Sequence, residues 1–397
     1  MFPFYVDYEQ NIKNTYYDLY NDLISKSTIK KYIYEKNTYN FFKELLFCIL
    51  QEIDTIILDG DFSKEEIERL GFDYSSVIQE YDIQNLSLSF EEFLEKLALM
   101  KGNGRISLYT SGTTGFPKRV THNLGNLVRN VKVGERFKDN IWGFAYNATH
   151  YAGLQVFFQA ITNHNPIINL FNQQNNKIQH ILLEKSISHI SATSTFYRTI
   201  LPYLDKPIEN VRYITFGGEK YDDSLYSELN KYFPNAKIRN IYASTEAGSL
   251  FTAKGNSFII PVNLKPYVSI SDDNELMIHR SLLGDINNGN GLVKVDEWFH
   301  TGDIIEKQND HEFIIVSRMS EIINVGGYNV NPYEIEEILC KLPYVVDAVV
   351  KARANRVTGN IIVADVVIKE SFDSIDVKKM IKEELSSKLQ AWRRERA

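Results

Sequence analysis

Only two cysteines, Cys48 and Cys340, occur in 397 residues. They lie far apart in apolar company and read as buried free thiols, so neither a disulfide framework nor a cysteine zinc site can be built from them. The start, Met1-Phe-Pro-Phe-Tyr5, has no basic segment leading into an apolar stretch, which argues against a signal peptide. The most apolar window, Phe41 to Leu50, is interrupted by Lys43 and Glu44 and is too short for a membrane span. An excess of positive charge is missing too. With 44 Lys and Arg against 51 Asp and Glu, the net charge is -7, and nothing electrostatic calls for nucleic acid or an anionic membrane as partner. There is no internal repeat and no low-complexity linker. A cytoplasmic enzyme is the expectation.

Hydrophobic residues make up 44% and charged residues 24%, an ordinary globular balance. The length suggests two or three domains. Residues from about Tyr8 to Glu52 read as helices, with apolar positions at helical spacing through Phe41, Leu45, Leu46 and Ile49. Ile53 to Asp59 has strand length and is closed by Gly60; Asp61 to Leu70 offers a cap, an acidic first turn and a helix. Strands are then expected at 141–146, 166–170, 189–191 and 211–216, with helices over 194–204 and 222–232. Such alternation implies a mostly parallel sheet covered by helices. Past Gly255, short strands and turns suggest an antiparallel sheet or small barrel. Beyond Arg318 comes a smaller α+β unit: Asn331-Pro332 caps a helix to about Lys341, followed by strands over 345–352 and 361–369 and a helix from Ser374.

Chemistry concentrates in Tyr109-Thr-Ser-Gly-Thr-Thr-Gly-Phe-Pro-Lys118. Gly112 and Gly115 let consecutive N–H groups curl toward an anion; Ser111, Thr113 and Thr114 add hydroxyl donors, and Lys118 adds charge. The loop suits a polyphosphate. It is not a Walker loop, because Phe-Pro-Lys follows Gly115 in place of Gly-Lys-Ser/Thr. Four segments accompany it: Phe216-Gly-Gly-Glu219, where a flat ring can approach backbone; Ile241-Tyr-Ala-Ser-Thr-Glu246, with an aromatic face, hydroxyls and a carboxylate; Trp298-Phe-His-Thr-Gly-Asp303, a carboxylate after a tight turn; and Ser317-Arg318, leading to Gly326-Gly327. Each alone has a plain reading as turn or solvated charge. All five in this order do not.

In this combination, from about Arg105 to Lys369, the chain resembles the adenylate-forming superfamily: acyl-CoA synthetases, non-ribosomal peptide adenylation domains and luciferase. The resemblance implies an α/β fold: a large N-terminal domain of parallel sheets with helices and a small β-barrel-like subdomain, then a small α+β C-terminal domain. Its boundaries would be 1–317, a hinge at 318–320 marked by Ser320, and 321–397. By resemblance, the loop Thr110, Ser111, Gly112, Thr113, Thr114, Gly115 to Lys118 holds the ATP pyrophosphate. Gly218 and Glu219, with Ile241 and Tyr242, frame adenine. Thr245 contacts the α-phosphate, Glu246 holds Mg²⁺, and Asp303 and Arg318 bind ribose. A carboxylate would attack the α-phosphate to give an acyl-adenylate. The acyl group would then pass to CoA or to the phosphopantetheine of an acyl carrier protein, after the small domain turns to present Gly326-Gly327.

The resemblance also implies a lysine near the C-terminus, in a segment like Pro-Arg-Thr-x-x-Gly-Lys, and none stands before Ala397. Arg356-Val-Thr-Gly-Asn360 reads as a turn. Arg393, Arg394 and Arg396 crowd the end, as a truncated or frameshifted tail or as a natural basic helix end. The first subdomain is expected to be shortened as well. A truncated chain would keep nucleotide binding and lose most adenylation rate, which leaves a degenerate nucleotide-binding protein as the alternative function. A generic phosphate-binding enzyme such as a kinase is disfavoured by the absent Walker pair.

Tyr146 to Leu154 sits where the family begins its acyl pocket. Asn147 stands where amino-acid activators carry an aspartate, which disfavours an α-amino acid because a buried ammonium needs a countercharge. His150 and Gly153 resemble the His-x-x-Gly of acyl- and aryl-CoA ligases, and His150 is a candidate catalytic residue. Ser191 to Thr195 is expected to line the same pocket. The substrate is thus a small carboxylic acid, aryl or fatty acyl.

Overall fold

The computed structural model describes residues 3–110, 117–217, 223–287, 291–325, 328–355, 359–369, 377–381, 383 and 385. The chain divides into two compact units. The larger comprises Met1–Ser269, Ile278–Phe299 and Lys307–Ile314; the smaller comprises Ile270–Met277, His300–Glu306 and Ile315–Ala397.

The main sheet of the larger unit is parallel across Pro3–Asp7, Ile167–Asn169, Trp142–Phe144, His189–Ala192, Tyr213–Gly217 and Lys237–Ser244. Its ends are antiparallel: Ile12–Thr15 pairs with Pro3–Asp7, and Gly248–Lys254 and then Ser257–Ile259 follow Lys237–Ser244. The expected strands at 141–146, 166–170, 189–191 and 211–216 are all present: the first two are trimmed at both ends, the third gains Ala192, and the fourth starts two residues later and ends at Gly217. The expected helices appear as Ser194–Ile200, continued by a short 3-10 turn, and Asp223–Tyr232.

A second sheet carries the strands on either side of the expected phosphate loop. Tyr32–Glu35, Thr55–Asp59 and Arg105–Thr110 run parallel, then Lys118–Asn123 and Asp285–Asn287 add antiparallel. The helical reading of residues 8–52 holds for Tyr16–Ile24 and Thr38–Leu50 but fails before the first, where Ile12–Thr15 is a strand, and between them, where Thr28–Lys30 and Tyr32–Glu35 are strands. Tyr-Ile-Tyr is a β-favouring run, and pairing with Thr55–Asp59 decides it. The helix after Gly60 starts later than expected. Ser63 caps Lys64–Arg69 through a reciprocal box with Glu66, and Asp61 stays outside.

Two cores lie on opposite faces of the main sheet. On one, Ile190, Ile214, Phe216 and Ile238 pack with the helices Asn175–Glu184, Ser194–Ile200 and Asp223–Tyr232. On the other, Phe4, Phe144 and Ile167 meet the helices Thr38–Leu50 and Tyr151–Ile161 in a core rich in aromatic rings. Phe42 and Phe157 stack at 4.3 Å between these two helices, and both are fully buried. Cys48 is buried in this core, whereas Cys340 is exposed, which corrects the reading of both as buried.

In the smaller unit, Asn331 Oδ1 accepts the Tyr333 N–H at 3.1 Å and Pro332 opens the helix Pro332–Cys340, as the sequence indicates. This helix packs on the hairpin Val345–Asn355 and Gly359–Ile368 around Ile335, Leu339, Val345 and Val350. Most of the expected helix from Ser374, the Gly326-Gly327 loop, residues 356–358 and the arginine-rich end lie outside the described residues. Within them, no helix is long and apolar enough to cross a membrane.

Phe42→Ala and Phe157→Ala should each lower unfolding free energy by about 3–5 kcal/mol, because each leaves a ring-sized void in a tightly packed core. The double variant should cost less than the sum, since both remove one contact. Denaturant midpoints at unchanged m-value measure this; single losses under about 1 kcal/mol would show that the pair does not anchor the core.

Candidate active site

The strands Arg105–Thr110 and Lys118–Asn123 form a hairpin whose last pair is Thr110 with Lys118. Ile106, Leu108 and Val120 anchor it in the interior, and Ser107 and Thr121 share a hydroxyl hydrogen bond of 2.8 Å. The two residues that flank the expected phosphate loop are therefore held together. Ser111, Gly112, Thr113, Thr114 and Gly115 lie outside the described residues. So do Gly218 and Glu219.

Thr245 and Glu246 occupy the turn between Lys237–Ser244 and Gly248–Lys254. That turn is held by donors to its carbonyls. His122 Nε2 lies 2.7 Å from the Thr245 oxygen, the Gly284 N–H donates to Glu246 at 2.9 Å, and Arg129 Nη2 donates to Ala247 at 2.7 Å. The Asn130 amide donates to the Ser249 carbonyl. Gly248 has φ +77°, and a Cβ there would stand 2.6 Å from the Tyr151 hydroxyl, so only glycine fits. The Glu246 carboxylate has no partner among the described residues, which leaves its oxygens open to a cation. Sequence reasoning missed His122 and Arg129. Their long-range backbone contacts leave no local signal.

A third group gathers at the end of Thr55–Asp59. Asp59 Oδ2 accepts the Asn147 amide at 2.8 Å and lies 3.5 Å from His150 Nε2, while Oδ1 accepts the Asp61 N–H at 3.0 Å. The bond from His150 is the chief cause holding the Asp59 carboxyl below its usual range. Asn147 Oδ1 in turn accepts Thr149 N–H and hydroxyl bonds at 3.0 and 2.8 Å. The spacing His150-x-x-Gly153 has a steric reason: a Cβ on Gly153 would meet the Asn147 carbonyl oxygen at 2.4 Å. Asp59 was overlooked, although a carboxylate closing a parallel strand is a recognisable signal. It also supplies the negative charge that the sequence argument found missing at Asn147. With Asp59 beside it, Asn147 does not by itself exclude an α-amino acid.

Thr110, Pro117, Asp59, His150 and Thr245 all border one cavity of about 1420 Å³ in the larger unit. Its floor is one face of the main sheet. Along Lys237–Ser244, residues 237, 239, 241 and 243 line it; along Tyr213–Gly217, residues 213, 215 and 217; along His189–Ala192, residues 189 and 191. The alternate positions Ile238, Ile214, Phe216, Ile190 and Ala192 face the helical core. The roof includes Tyr151, Ala152, Gln155, Val156 and Gln159, positions one helical turn apart on Tyr151–Ile161. Ile241 and Ser191 thus border the cavity. Tyr242 points away, its ring 5.4 Å from Phe251 and 6.1 Å from Phe258.

The smaller unit holds Asp303 and Arg318 together, with Nε 3.0 Å from Asp303 Oδ1. Buried Glu275 shapes the turn before Asp303. It accepts the Gly302 N–H at 2.7 Å and lies 2.6 Å from His300 Nδ1, while Gly302 takes φ +78°.

A family description, AMP-binding enzyme, matches residues 87–270, and a second, AMP-binding enzyme C-terminal domain, matches 334–397. The two together cover more than half of the chain. The chain belongs to the AMP-binding enzyme family. It is 26% identical over 296 residues to a 2-succinylbenzoate–CoA ligase of Listeria innocua, covering 70% of this chain and 63% of that protein. The Bacillus subtilis 2-succinylbenzoate–CoA ligase is 24% identical over 362 residues, covering 83% and 71%. This family member thus spans under two thirds of the length of several curated relatives. Among solved structures, the o-succinylbenzoate CoA synthetase of Bacillus subtilis with its acyl-adenylate intermediate superposes with TM-score 0.69 at 19% identity, over 96% of this chain and 88% of that one. A Mycobacterium tuberculosis fatty acyl CoA synthetase gives 0.64 at 16% identity, over 97% and 88%. The fold is that of the adenylate-forming enzymes.

Burial holds two imidazoles of the cavity region below their ordinary range: His122, and His189 at about 4, with Arg212 adding to the latter. Unfolded histidine takes up its proton near pH ~6.5. The stabilising contribution is therefore complete above that value and declines as pH falls toward about 4, where the folded state begins to bind protons too. Melting temperature should fall across this window, and His189→Gln should flatten the slope; parallel wild-type and variant profiles would refute the assignment.

Proposed function

We propose that this family member is an ATP-dependent acid–thiol ligase, which activates a carboxylic acid as its acyl-adenylate and passes the acyl group to a thiol. The observation that carries the reading is the cavity whose one end meets Thr110, Pro117, Thr245 and His150. An acid lying in it presents its carboxylate beside the loop suited to polyphosphate. The named relatives support the same reading, since they are CoA ligases.

In this reading the acid's carboxylate oxygen attacks the α-phosphorus, the bond to the bridging oxygen of pyrophosphate breaks, and pyrophosphate departs. Both reactants are anions, so the site must offset repulsion. The loop from Thr110 to Lys118 takes the β- and γ-phosphates, and the Thr245 hydroxyl takes the α-phosphate. His122 and Arg129 keep that hydroxyl in place through the carbonyls they hold. The free Glu246 carboxylate fits Mg²⁺, which favours one or two carboxylates together with phosphate oxygens and would supply charge neutralisation there. Asp303 is proposed for the ribose hydroxyls, with Arg318 beside it. His150 is proposed to stand at the reacting carboxylate, oriented by Asp59. CoA is the proposed thiol. A carrier-protein pantetheine is the second choice, resting on a likeness to a segment of bacitracin synthase 3.

Acid-dependent exchange of pyrophosphate into ATP tests the reading. Lys118→Ala and Glu246→Gln should each lower the exchange rate by about 10²–10³-fold. If ATP binds tightly but no acid in a broad panel raises exchange above the Lys118→Ala level, the chain is a nucleotide-binding protein and not a ligase.

A further inference from the structure

The cavity has a second end that the reaction does not use. At the opening edge of the parallel strands it is lined by Lys132, Arg136, Arg212, Lys237 and Arg239. None of the five makes an ion pair among the described residues. Arg239 Nη1 donates only to the neighbouring Ile238 carbonyl at 2.9 Å, and Arg136 lies over the Phe137 ring at 4.6 Å. Asp59 is the single carboxylate among the lining residues, and it stands at the opposite end. A chain of net charge -7 has acids to spare, yet none among the described residues lines this end.

Strand geometry explains why these cations share one end. Lys237 and Arg239 are two residues apart, so both project from the cavity face of Lys237–Ser244, as Ile241 and Ala243 do. Arg212 immediately precedes the neighbouring strand Tyr213–Gly217, in which Tyr213 pairs with Lys237. Between the cations and the reacting end the floor is mildly polar: Thr215 donates to Ser191 at 2.7 Å, and both line the cavity. Along the strand, Arg239 and Lys237 stand roughly 20 and 26 Å from Thr245.

We propose that this end is an anion subsite, and that the acid activated by this enzyme carries a second anionic group, a carboxylate or phosphate ester, remote from the carboxylate that reacts. The inference rests on the ligase reading for which carboxylate reacts, but the subsite itself is a matter of binding. Guanidinium groups suit such a group because they hold carboxylate and phosphate oxygens through paired N–H bonds. Arg239, the half-buried member, is placed to contribute most, with Arg212 and Lys237 beside it. An acid with a plain hydrocarbon tail would leave these charges unanswered.

The test compares α,ω-dicarboxylic acids of graded length with monocarboxylic acids of equal length, in wild type and in Arg239→Met and Lys237→Met. Wild type should favour diacids of one length range by about tenfold or more in kcat/KM, and each variant should bring that ratio toward one. Calorimetric binding of the same acids, at low and high salt, is read alongside. Diacid binding that weakens with salt and with Arg239→Met upholds the subsite even if no acid is turned over, which would count against the ligase reading alone. Monoacids bound and used as well as diacids at every length would overturn the proposal. So would variants that raise KM for CoA, but not for dephospho-CoA, while leaving the acid ratio unchanged, because the cations would then serve the thiol.

Discussion

The pleat of three adjacent parallel strands, His189–Ala192, Tyr213–Gly217 and Lys237–Ser244, governs the rest of the site. Successive residues alternate between a packed helical core and an open cavity, so a slip of one residue would exchange Ile238 for Arg239 and Phe216 for Thr215. Burying that set of polar groups without partners would cost far more than any contact in the cavity returns. The core side therefore enforces the register, and the cavity side inherits its order. Gly217 belongs to the same constraint, since a Cβ there would meet the Ile241 carbonyl oxygen at 2.4 Å.

The turn that carries Thr245 and Glu246 is supported through its backbone by partners distant in sequence. Thr245 and Glu246 sit in a turn whose carbonyls are occupied by His122, Arg129, Asn130 and the Gly284 N–H. Donors fixed in this way hold the backbone at Thr245, Glu246 and Ala247 in one arrangement. Glu275 performs the same task for the turn ahead of Asp303. Both supports depend on partners far away in sequence. His122 and Thr245 are 123 residues apart, beyond the reach of any local pattern.

Much of the molecule was nonetheless legible. The parallel strands were readable because short apolar runs bounded by turns admit few alternatives, and Asn331-Pro332 marked a helix start through chemistry confined to two residues. The segment 8–52 was misread because helical spacing at Phe41 to Ile49 was extended backward over Tyr32-Ile-Tyr, whose state depends on a neighbouring strand. Tyr242 shows what a motif leaves open: the sequence offers an aromatic ring, and its packing against Phe251 and Phe258 is set by the tertiary structure.

By itself the sequence determined the chemistry that each short segment can offer. It marked a glycine- and hydroxyl-rich loop for phosphate, a Thr-Glu pair, a Thr-Gly-Asp turn, and the order that ties them to one family. These are local properties, set by side chains and backbone freedom within a few residues. Only the tertiary structure decided which segments share a cavity, that Asp59 reaches His150 and Asn147, and that five cations from distant stretches line one end of it. Those outcomes depend on strand register and on which face each helix buries, and both are settled by packing of the whole unit.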